Sequence, residues 1–117
     1  MRILIVEDEL LIALDVEMAL VDAGYVVIGT ATTEAEAVAL AREGAPDLIV
    51  VDLRLADGSC GRQAVETIRR DQDVMVIFAS GNLDPAMRDR LQALDPIAML
   101  SKPYAPDQLV RVIDAAA

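Results

Sequence analysis

Five short apolar runs, separated by stretches with helical spacing, constrain the fold of this chain more than any other feature of its sequence. The runs are continuously apolar rather than alternating, and the first four are rich in Val and Ile. They occupy residues 3–6, 25–28, 48–51, 74–78 and 97–100. Because a strand with two apolar faces has to be covered on both, this pattern predicts a parallel sheet between two layers of helices.

The segments between the runs carry the start and stop signals of helices. Gly24 predicts the end of the first helix, and Thr33 with Glu36 predicts a capping box at the start of the second, which Gly44 and Pro46 should close. The later helices have start signals at Asp84, Pro85 and Pro106. Alternating strands and helices imply right-handed crossovers, and hence a doubly wound α/β fold with five strands and five helices. A length of 117 residues suffices for one such domain.

The polar residues at or just after the ends of the apolar runs point to one functional edge. Glu7 and Asp8 follow the first run, Asp52 follows the third, Ser80 comes after the fourth and Lys102 after the fifth. The carboxyl ends of parallel strands share one edge of the sheet, where ligands bind in open α/β folds. We therefore expect these five side chains to lie close together.

Three carboxylates at one edge need a counter-charge. Two carboxylates about 4 Å apart repel by roughly 4 kcal/mol at an effective dielectric constant of about 20. Glu7, Asp8 and Asp52 therefore favour a bound cation or a shared proton, and Lys102 supplies only one positive charge. Oxygen ligands without His or Cys favour Mg²⁺, Mn²⁺ or Ca²⁺, and a small number of protein ligands beside a phosphoryl group favours Mg²⁺.

Lys102 and Ser80 suit the recognition of a phosphoryl group. Lys102 is the only lysine of the chain, and its compact ammonium beside a small hydroxyl can hold phosphoryl oxygens. Asp52 is then the natural nucleophile, because a carboxylate can accept a phosphoryl group as an aspartyl phosphate. Each of these residues alone fits an ordinary structural role as a helix cap, a turn residue or a solvated cation. Their convergence at one edge favours the functional interpretation.

Charge and composition exclude several other classes of function. The net charge is −10, so we expect no binding of nucleic acid by this chain. No apolar run approaches the roughly 18 residues that a membrane-spanning helix needs, and we expect no membrane segment. The single Cys60 excludes an internal disulfide and suits a reducing compartment, which predicts a cytoplasmic protein.

Four segments together resemble the receiver domain of bacterial response regulators. They are residues 3–9 (ILIVEDE), residues 47–52 (DLIVVD), Ser80 with Gly81, and residues 102–104 (KPY). The resemblance covers essentially the whole chain and implies one receiver domain over residues 1–117, with a flavodoxin-like sheet in the strand order 2-1-3-4-5. It also implies that the chain takes a phosphoryl group from a phosphohistidine on a histidine kinase or phosphotransfer protein, with Mg²⁺ as cofactor.

The resemblance gives the candidate residues their roles by position. Asp52 matches the phosphoacceptor, and Lys102 matches the lysine that binds the phosphoryl group. Asp8 matches the acid that binds the metal directly, and Glu7 matches its neighbour, which usually acts through water. The backbone carbonyl of Arg54 falls where the family completes the metal shell.

The region around the switch residue departs from the family in one respect. Ser80 matches the switch hydroxyl, and the peptide bond between Lys102 and Pro103 would be cis. Receivers commonly carry a Tyr or Phe three residues before the lysine, and this chain has Met99 there. Residues 76–81 (VIFASG) are similar to the signature of the FATGUY subgroup, whose often stand-alone receivers also lack the aromatic switch.

These observations predict a receiver that signals through protein contacts and is not an enzyme beyond its own phosphorylation and dephosphorylation. The alternative is a receiver-like protein-binding module that is not phosphorylated in the cell. A phosphatase resembling the haloacid dehalogenases would carry Asp-x-Asp after its first strand, and Asp52-Leu53-Arg54 lacks the second acid. A flavodoxin fits less well, because the acids at 7–9 would repel a flavin phosphate.

Overall fold

The computed structural model describes residues 1–117 as five strands that alternate with five helices. The strands are β1 (Arg2–Val6), β2 (Val26–Ala31), β3 (Leu48–Asp52), β4 (Met75–Ser80) and β5 (Ala98–Ser101). The helices are α1 (Leu10–Asp22), α2 (Glu34–Gly44), α3 (Gly61–Arg69), α4 (Pro85–Gln92) and α5 (Pro106–Ala116). All strand pairs are parallel, in the order β2-β1-β3-β4-β5, which confirms the predicted fold and strand order. None of the helices is long and apolar enough to span a membrane.

Apolar side chains fill the space on both faces of the sheet, as the continuous apolar runs predict. Ile3 and Ile5 of β1 belong to the core cluster beneath α1 and α5, whereas Leu4 and Val6 belong to the cluster beneath α2, α3 and α4. The alternation follows from the strand itself, whose successive side chains point to opposite faces. Strand β1 therefore contributes equally to two cores, and neither face of it is left for solvent.

Several strands run further than the apolar runs that predict them. β3 includes Asp52 and β4 includes Ser80, although both residues are polar. The backbone ladder continues because Asp52 pairs with Ala79 and Ser80 pairs with Ser101. The side chains of Asp52 and Ser80 are therefore held by strands rather than by loops.

The start of α2 confirms one half of the predicted capping box. The Thr33 hydroxyl accepts a hydrogen bond from the backbone N–H of Glu36 at 3.2 Å. The Glu36 carboxylate contacts Thr32, the residue before the predicted partner Thr33. It accepts hydrogen bonds from the Thr32 backbone N–H at 3.1 Å and from the Thr32 hydroxyl at 2.6 Å. Thr32 thus donates two hydrogen bonds to one carboxylate oxygen of Glu36.

The end of α2 differs from the predicted glycine stop. Gly44 is the last helical residue, and Ala45 takes the left-handed conformation with φ of 43°. A Cβ atom on Gly44 would lie 2.5 Å from Cδ1 of Ile28. Ile28 therefore packs closely against Gly44 where α2 approaches β2, and a larger residue at position 44 would require this side chain to shift. The left-handed residue comes one position later. At the end of α1, by contrast, Gly24 itself adopts a positive φ of 94°.

Candidate functional site

The carboxyl ends of β1, β3, β4 and β5 bring the predicted polar residues to one edge. Glu7, Asp52 and Ser80 are the only buried polar residues of the chain, with 5%, 8% and 7% of their surfaces exposed. Backbone hydrogen bonds just beyond the strand ends hold the adjoining residues in place. The N–H of Lys102 donates to the carbonyl of Ser80 at 2.9 Å, and the N–H of Glu7 donates to that of Ala31 at 2.9 Å.

Lys102 joins the two buried carboxylates. Its Nζ donates to Oε1 of Glu7 at 2.6 Å and to Oδ2 of Asp52 at 2.9 Å. Burial alone would lower the pKa of Lys102, but the hydrogen bonds to both carboxylates outweigh it and raise the pKa. The ammonium therefore stays charged at any physiological pH and is a fixed cation at the floor of the site.

Glu7 is the residue whose protonation is most affected by this arrangement. Burial raises the pKa of Glu7 to about 7, and the neighbouring Asp52 adds to the rise. The hydrogen bond from Lys102 and the one from the backbone N–H of Glu9 act in the opposite direction without cancelling it. One lysine is thus insufficient to balance the carboxylates of this edge.

The acids at this edge also have the geometry of a cation site. Carboxylate oxygens of Glu7, Asp8 and Asp52 lie within 4.8 Å of one another, and Asp8 is half-buried. An all-oxygen donor set of this size suits Mg²⁺. The N–H of Arg54 donates to Oδ1 of Asp52 at 3.2 Å, which holds the loop after β3 against the site. That the Arg54 carbonyl completes a metal shell stays a prediction.

A cavity of about 410 Å³ opens above these residues and contains no apolar side chain. Its walls include every predicted site residue except Glu7, which lies beneath it. The lining residues are Asp8, Glu9, Asp52, Arg54, Ser80, Gly81, Asn82 and Lys102. The space and the polarity suit a phosphoryl group with its metal ion and water.

Two residues of this cavity were not singled out by the sequence. Glu9 follows Glu7 and Asp8 in the same acidic triplet, so its position was visible, although nothing separated it from a helix cap. Asn82 lies two residues after Ser80, and its backbone N–H donates to Oγ of Ser80 at 3.1 Å. This bond holds the loop after β4 against the Ser80 side chain.

The segment from Met99 to Pro103 agrees with the sequence analysis at both of its ends. The peptide between Lys102 and Pro103 is cis, which confirms the expectation from the family. Met99 pairs with Phe78 across β4 and β5, is half-buried, and packs against the core cluster beneath α4 together with Leu83 and Met87. A flexible apolar side chain thus fills the place where many receivers carry an aromatic ring.

Comparison with known proteins agrees with this geometry. A family model described as the response regulator receiver domain matches residues 3–114. The chain belongs to the response regulator receiver family. It is 39% identical over 116 residues to the phyllosphere-induced regulator PhyR of Methylorubrum extorquens, a match that covers 98% of this chain and 43% of that protein.

Solved structures of receivers have the same fold. The REC domain of the PhyR response regulator of Erythrobacter litoralis is 34% identical in sequence and superposes with a TM-score of 0.83. The match covers 98% of this chain and 88% of that one. The CheY-like receiver domain protein of Methanospirillum hungatei is 25% identical in sequence and superposes with a TM-score of 0.89. That match covers 98% of this chain and 91% of the other. Receiver-only structures are matched over nearly their full length, whereas the chain spans about half the length of several curated relatives.

Proposed function

We propose that this chain accepts a phosphoryl group on Asp52 from a phosphohistidine of a histidine kinase or phosphotransfer protein. The observation that carries the proposal is the pair of hydrogen bonds from Nζ of Lys102, to Glu7 at 2.6 Å and to Asp52 at 2.9 Å. These bonds hold a permanent positive charge beside the carboxylate that would attack phosphorus. A fixed charge of this kind stabilises the charge that develops on a transferring phosphoryl group.

The proposed transfer is a single displacement at phosphorus. A carboxylate oxygen of Asp52 forms the new O–P bond, the N–P bond of the phosphohistidine breaks, and its electron pair returns to the imidazole, which takes up a proton from water. Lys102 and the Ser80 hydroxyl hold phosphoryl oxygens as a point charge and a short donor. The chain's own contribution is therefore positioning and electrostatics, as is general for phosphoryl transfer.

Mg²⁺ fits the donor set of this edge. Asp8 and Asp52 would hold it through carboxylate oxygens, Glu7 would act through water, and the carbonyl of Arg54 would be a further ligand, as the family suggests. When bound, the ion supplies positive charge to the oxygens of the transferring phosphoryl group. The charge balance supports this assignment, because three carboxylates face a single lysine.

The output is proposed to be a protein contact. The net charge of −10 makes nucleic acid an unsuitable reader. Because the backbone N–H of Asn82 is bonded to Oγ of Ser80, an inward movement of Ser80 would draw the loop of residues 81–83 with it. That loop leads directly into α4, so phosphorylation of Asp52 would change the surface around α4.

Phosphorylation by a small donor tests the chemistry directly. We expect that phosphoramidate with Mg²⁺ adds the mass of one phosphoryl group to the intact protein, and that Asp52→Asn stays unmodified. Asp57→Asn is the matched control, because Asp57 lies outside the cavity and its side chain is bonded to Ser59. Chelation of Mg²⁺ should prevent modification of the unaltered protein.

The possible outcomes separate the two candidate functions. Equal modification of the unaltered protein and Asp52→Asn would reject Asp52 as the acceptor. No modification, from either a small donor or a histidine kinase, would favour the alternative of a receiver-like protein-binding module.

A further inference from the structure

A cavity of about 460 Å³ lies next to the acidic one, between the connection from β3 to α3 and the first turn of α4. Ligand cavities commonly have volumes of about 300–1,000 Å³, and this one has room for about ten to fifteen non-hydrogen atoms. Leu53 and Leu55 are almost completely buried and form an apolar wall, which the half-buried Met87 of α4 completes. The cavity therefore favours a ligand with an apolar body.

The polar groups at one end of this cavity are hydrogen-bond donors without an acceptor. The Arg54 guanidinium is exposed and takes part in no hydrogen bond or salt bridge within the chain. The Ser80 hydroxyl, with 7% of the residue exposed, accepts from the backbone N–H of Asn82 but donates to no group of the chain. The side-chain amide of Asn82 is likewise unbonded. All three residues line both cavities, so their free donors meet at the border between them.

These donors select an anion, and the guanidinium favours a carboxylate. Arg54 is the only charged residue in the lining, and a guanidinium pairs with a carboxylate through two parallel hydrogen bonds. No carboxylate of the chain lines this cavity, and the charge of the nearby Asp52 is offset by Lys102 at 2.9 Å. The remaining acids have little influence, because exposed charges more than about 8 Å apart are largely screened at physiological ionic strength.

We propose that this cavity binds a small organic acid with an apolar body, and that the bound acid opposes the response to phosphorylation. The carboxylate accepts hydrogen bonds from Arg54, Asn82 and Ser80, and the apolar body lies against Met87 and the two leucines. Inward movement of Ser80 and closure of the first turn of α4 need the same space. The binding site depends on the cavity alone, whereas its effect on signalling rests on the proposed phosphorylation of Asp52.

Protection of Cys60 from alkylation measures binding directly, because its half-buried thiol lines the cavity. The probe is 3-phenylpropionate, compared with its neutral amide and with acetate, which lacks the apolar body. Iodoacetamide, a neutral reagent, alkylates the full chain in metal-free buffer at fixed pH and ionic strength. A ligand of this size commonly binds with a Kd of a few millimolar, so we expect about 10 mM of the acid to slow alkylation about threefold. The amide and acetate should have little effect.

Variants of the chain locate the site. Arg54→Gln keeps the backbone carbonyl but removes the guanidinium, and should abolish the preference for the acid over the amide. Met87→Gln makes the apolar wall polar and should weaken protection by the acid. Arg111→Gln is the matched charge control, because Arg111 is exposed on α5 at the other face of the sheet, and should leave protection unchanged.

Two results of these measurements would overturn the binding site. The first is equal protection of Cys60 by 3-phenylpropionate and by its amide or acetate. The second is an equal loss of protection in Arg54→Gln and Arg111→Gln.

The phosphorylation assay tests the effect on signalling and keeps this proposal separate from the proposed function. About 10 mM 3-phenylpropionate should slow modification of Asp52 by phosphoramidate about threefold relative to acetate, and should have no such effect on Arg54→Gln. An unchanged rate would overturn the opposition to phosphorylation. Acid-selective protection of Cys60 in a chain that phosphoramidate does not modify would support the binding site and reject the phosphoacceptor. Modification without acid-selective protection would do the reverse.

Discussion

Helices α1 and α4 lie on opposite sides of the same acidic cavity and are attached to the molecule in different ways. α1 has 13 residues, and Ala13, Val16 and Leu20 are buried along its length. α4 has eight residues, and only Leu91, in its last turn, is buried. Beneath the first turn of α4 lies the cavity of about 460 Å³, whose lining includes Met87.

The difference in burial indicates which helix can respond to a structural change at Asp52. Movement of the first turn of α4 requires less free energy than movement of α1. A helix with one buried side chain and a cavity under its first turn has little apolar contact to lose when that turn moves. Its last turn is better held, because the Arg69 guanidinium donates to the carbonyl of Leu94, just beyond α4, and to that of Val74 at 3.0 and 3.2 Å. We therefore expect α1 to stay in place while the first turn of α4 moves.

The largest effect that tests this comparison is a change in stability. Leu20 and Leu91 are both completely buried, and truncation of a buried leucine to alanine commonly costs about 2–5 kcal/mol. We expect Leu20→Ala to lower the free energy of unfolding within that range and Leu91→Ala to lower it less, because α4 has no other buried side chain and can therefore settle into the space that truncation leaves. Urea denaturation of both variants measures the difference. An equal or larger loss for Leu91→Ala would contradict it.

The difference between the two helices also marks how far the sequence could predict the structure. The strands and the edge residues were predictable, because continuous apolar runs imply buried parallel strands and Asp52, Ser80 and Lys102 follow from the strand ends. The resemblance then supplied the strand order and the cis peptide after Lys102. These features depend on local pattern and on topology, which short segments encode.

The sequence did not reveal features that arise from side chains of distant segments. A cavity of about 320 Å³ beside Tyr104 exists because the connection from β5 to α5 lies against α1, and no local pattern encodes that distance. The close contact of Gly44 with Ile28, sixteen residues earlier, is a second such feature. The shallow attachment of α4 was likewise invisible, because a capped start at Asp84 and Pro85 predicts that a helix begins and not how deeply it is buried.

A smaller effect is the pH dependence of stability, because only one side of the acidic cavity carries a group whose pKa is shifted. The side next to α1 carries Glu7, whose pKa burial raises from 4.5 to about 7, whereas Ser80, Gly81 and Asn82 on the α4 side do not ionise. The folded protein then holds the proton of Glu7 more tightly than the unfolded chain does. Its contribution to stability is complete below about pH 4.5 and is lost as the pH rises to about 7.

This loss amounts to at most about 3.5 kcal/mol, since one pKa unit corresponds to about 1.4 kcal/mol. The measurement is the free energy of unfolding of metal-free protein between pH 4.5 and pH 8, compared with Glu7→Gln, which keeps the shape of the side chain but cannot ionise. We expect the difference between the two proteins to change in favour of the variant as the pH rises. Parallel curves for the two proteins would show that Glu7 titrates normally.

The smallest effect concerns the movement itself. On addition of Mg²⁺ and a phosphate mimic, we expect amide hydrogen exchange to change most between residues 80 and 94, and little within α1. The thiol of Cys60 gives an independent readout, because it lines the cavity beneath α4. Closure of α4 over that cavity should slow alkylation of Cys60 about tenfold, which corresponds to about 1.4 kcal/mol of local stabilisation.

Met99→Tyr and Asp52→Asn are the controls for this movement. Met99→Tyr changes only the side chain beside α4 and should be phosphorylated as readily as the unaltered protein, because Met99 does not line the acidic cavity. Asp52→Asn should show neither the exchange response nor the protection of Cys60. If exchange changes in α1 as much as in residues 80–94, or if alkylation of Cys60 is unaffected, then the first turn of α4 is not the moving part. The two helices would in that case respond to Asp52 as one rigid layer, despite their different burial.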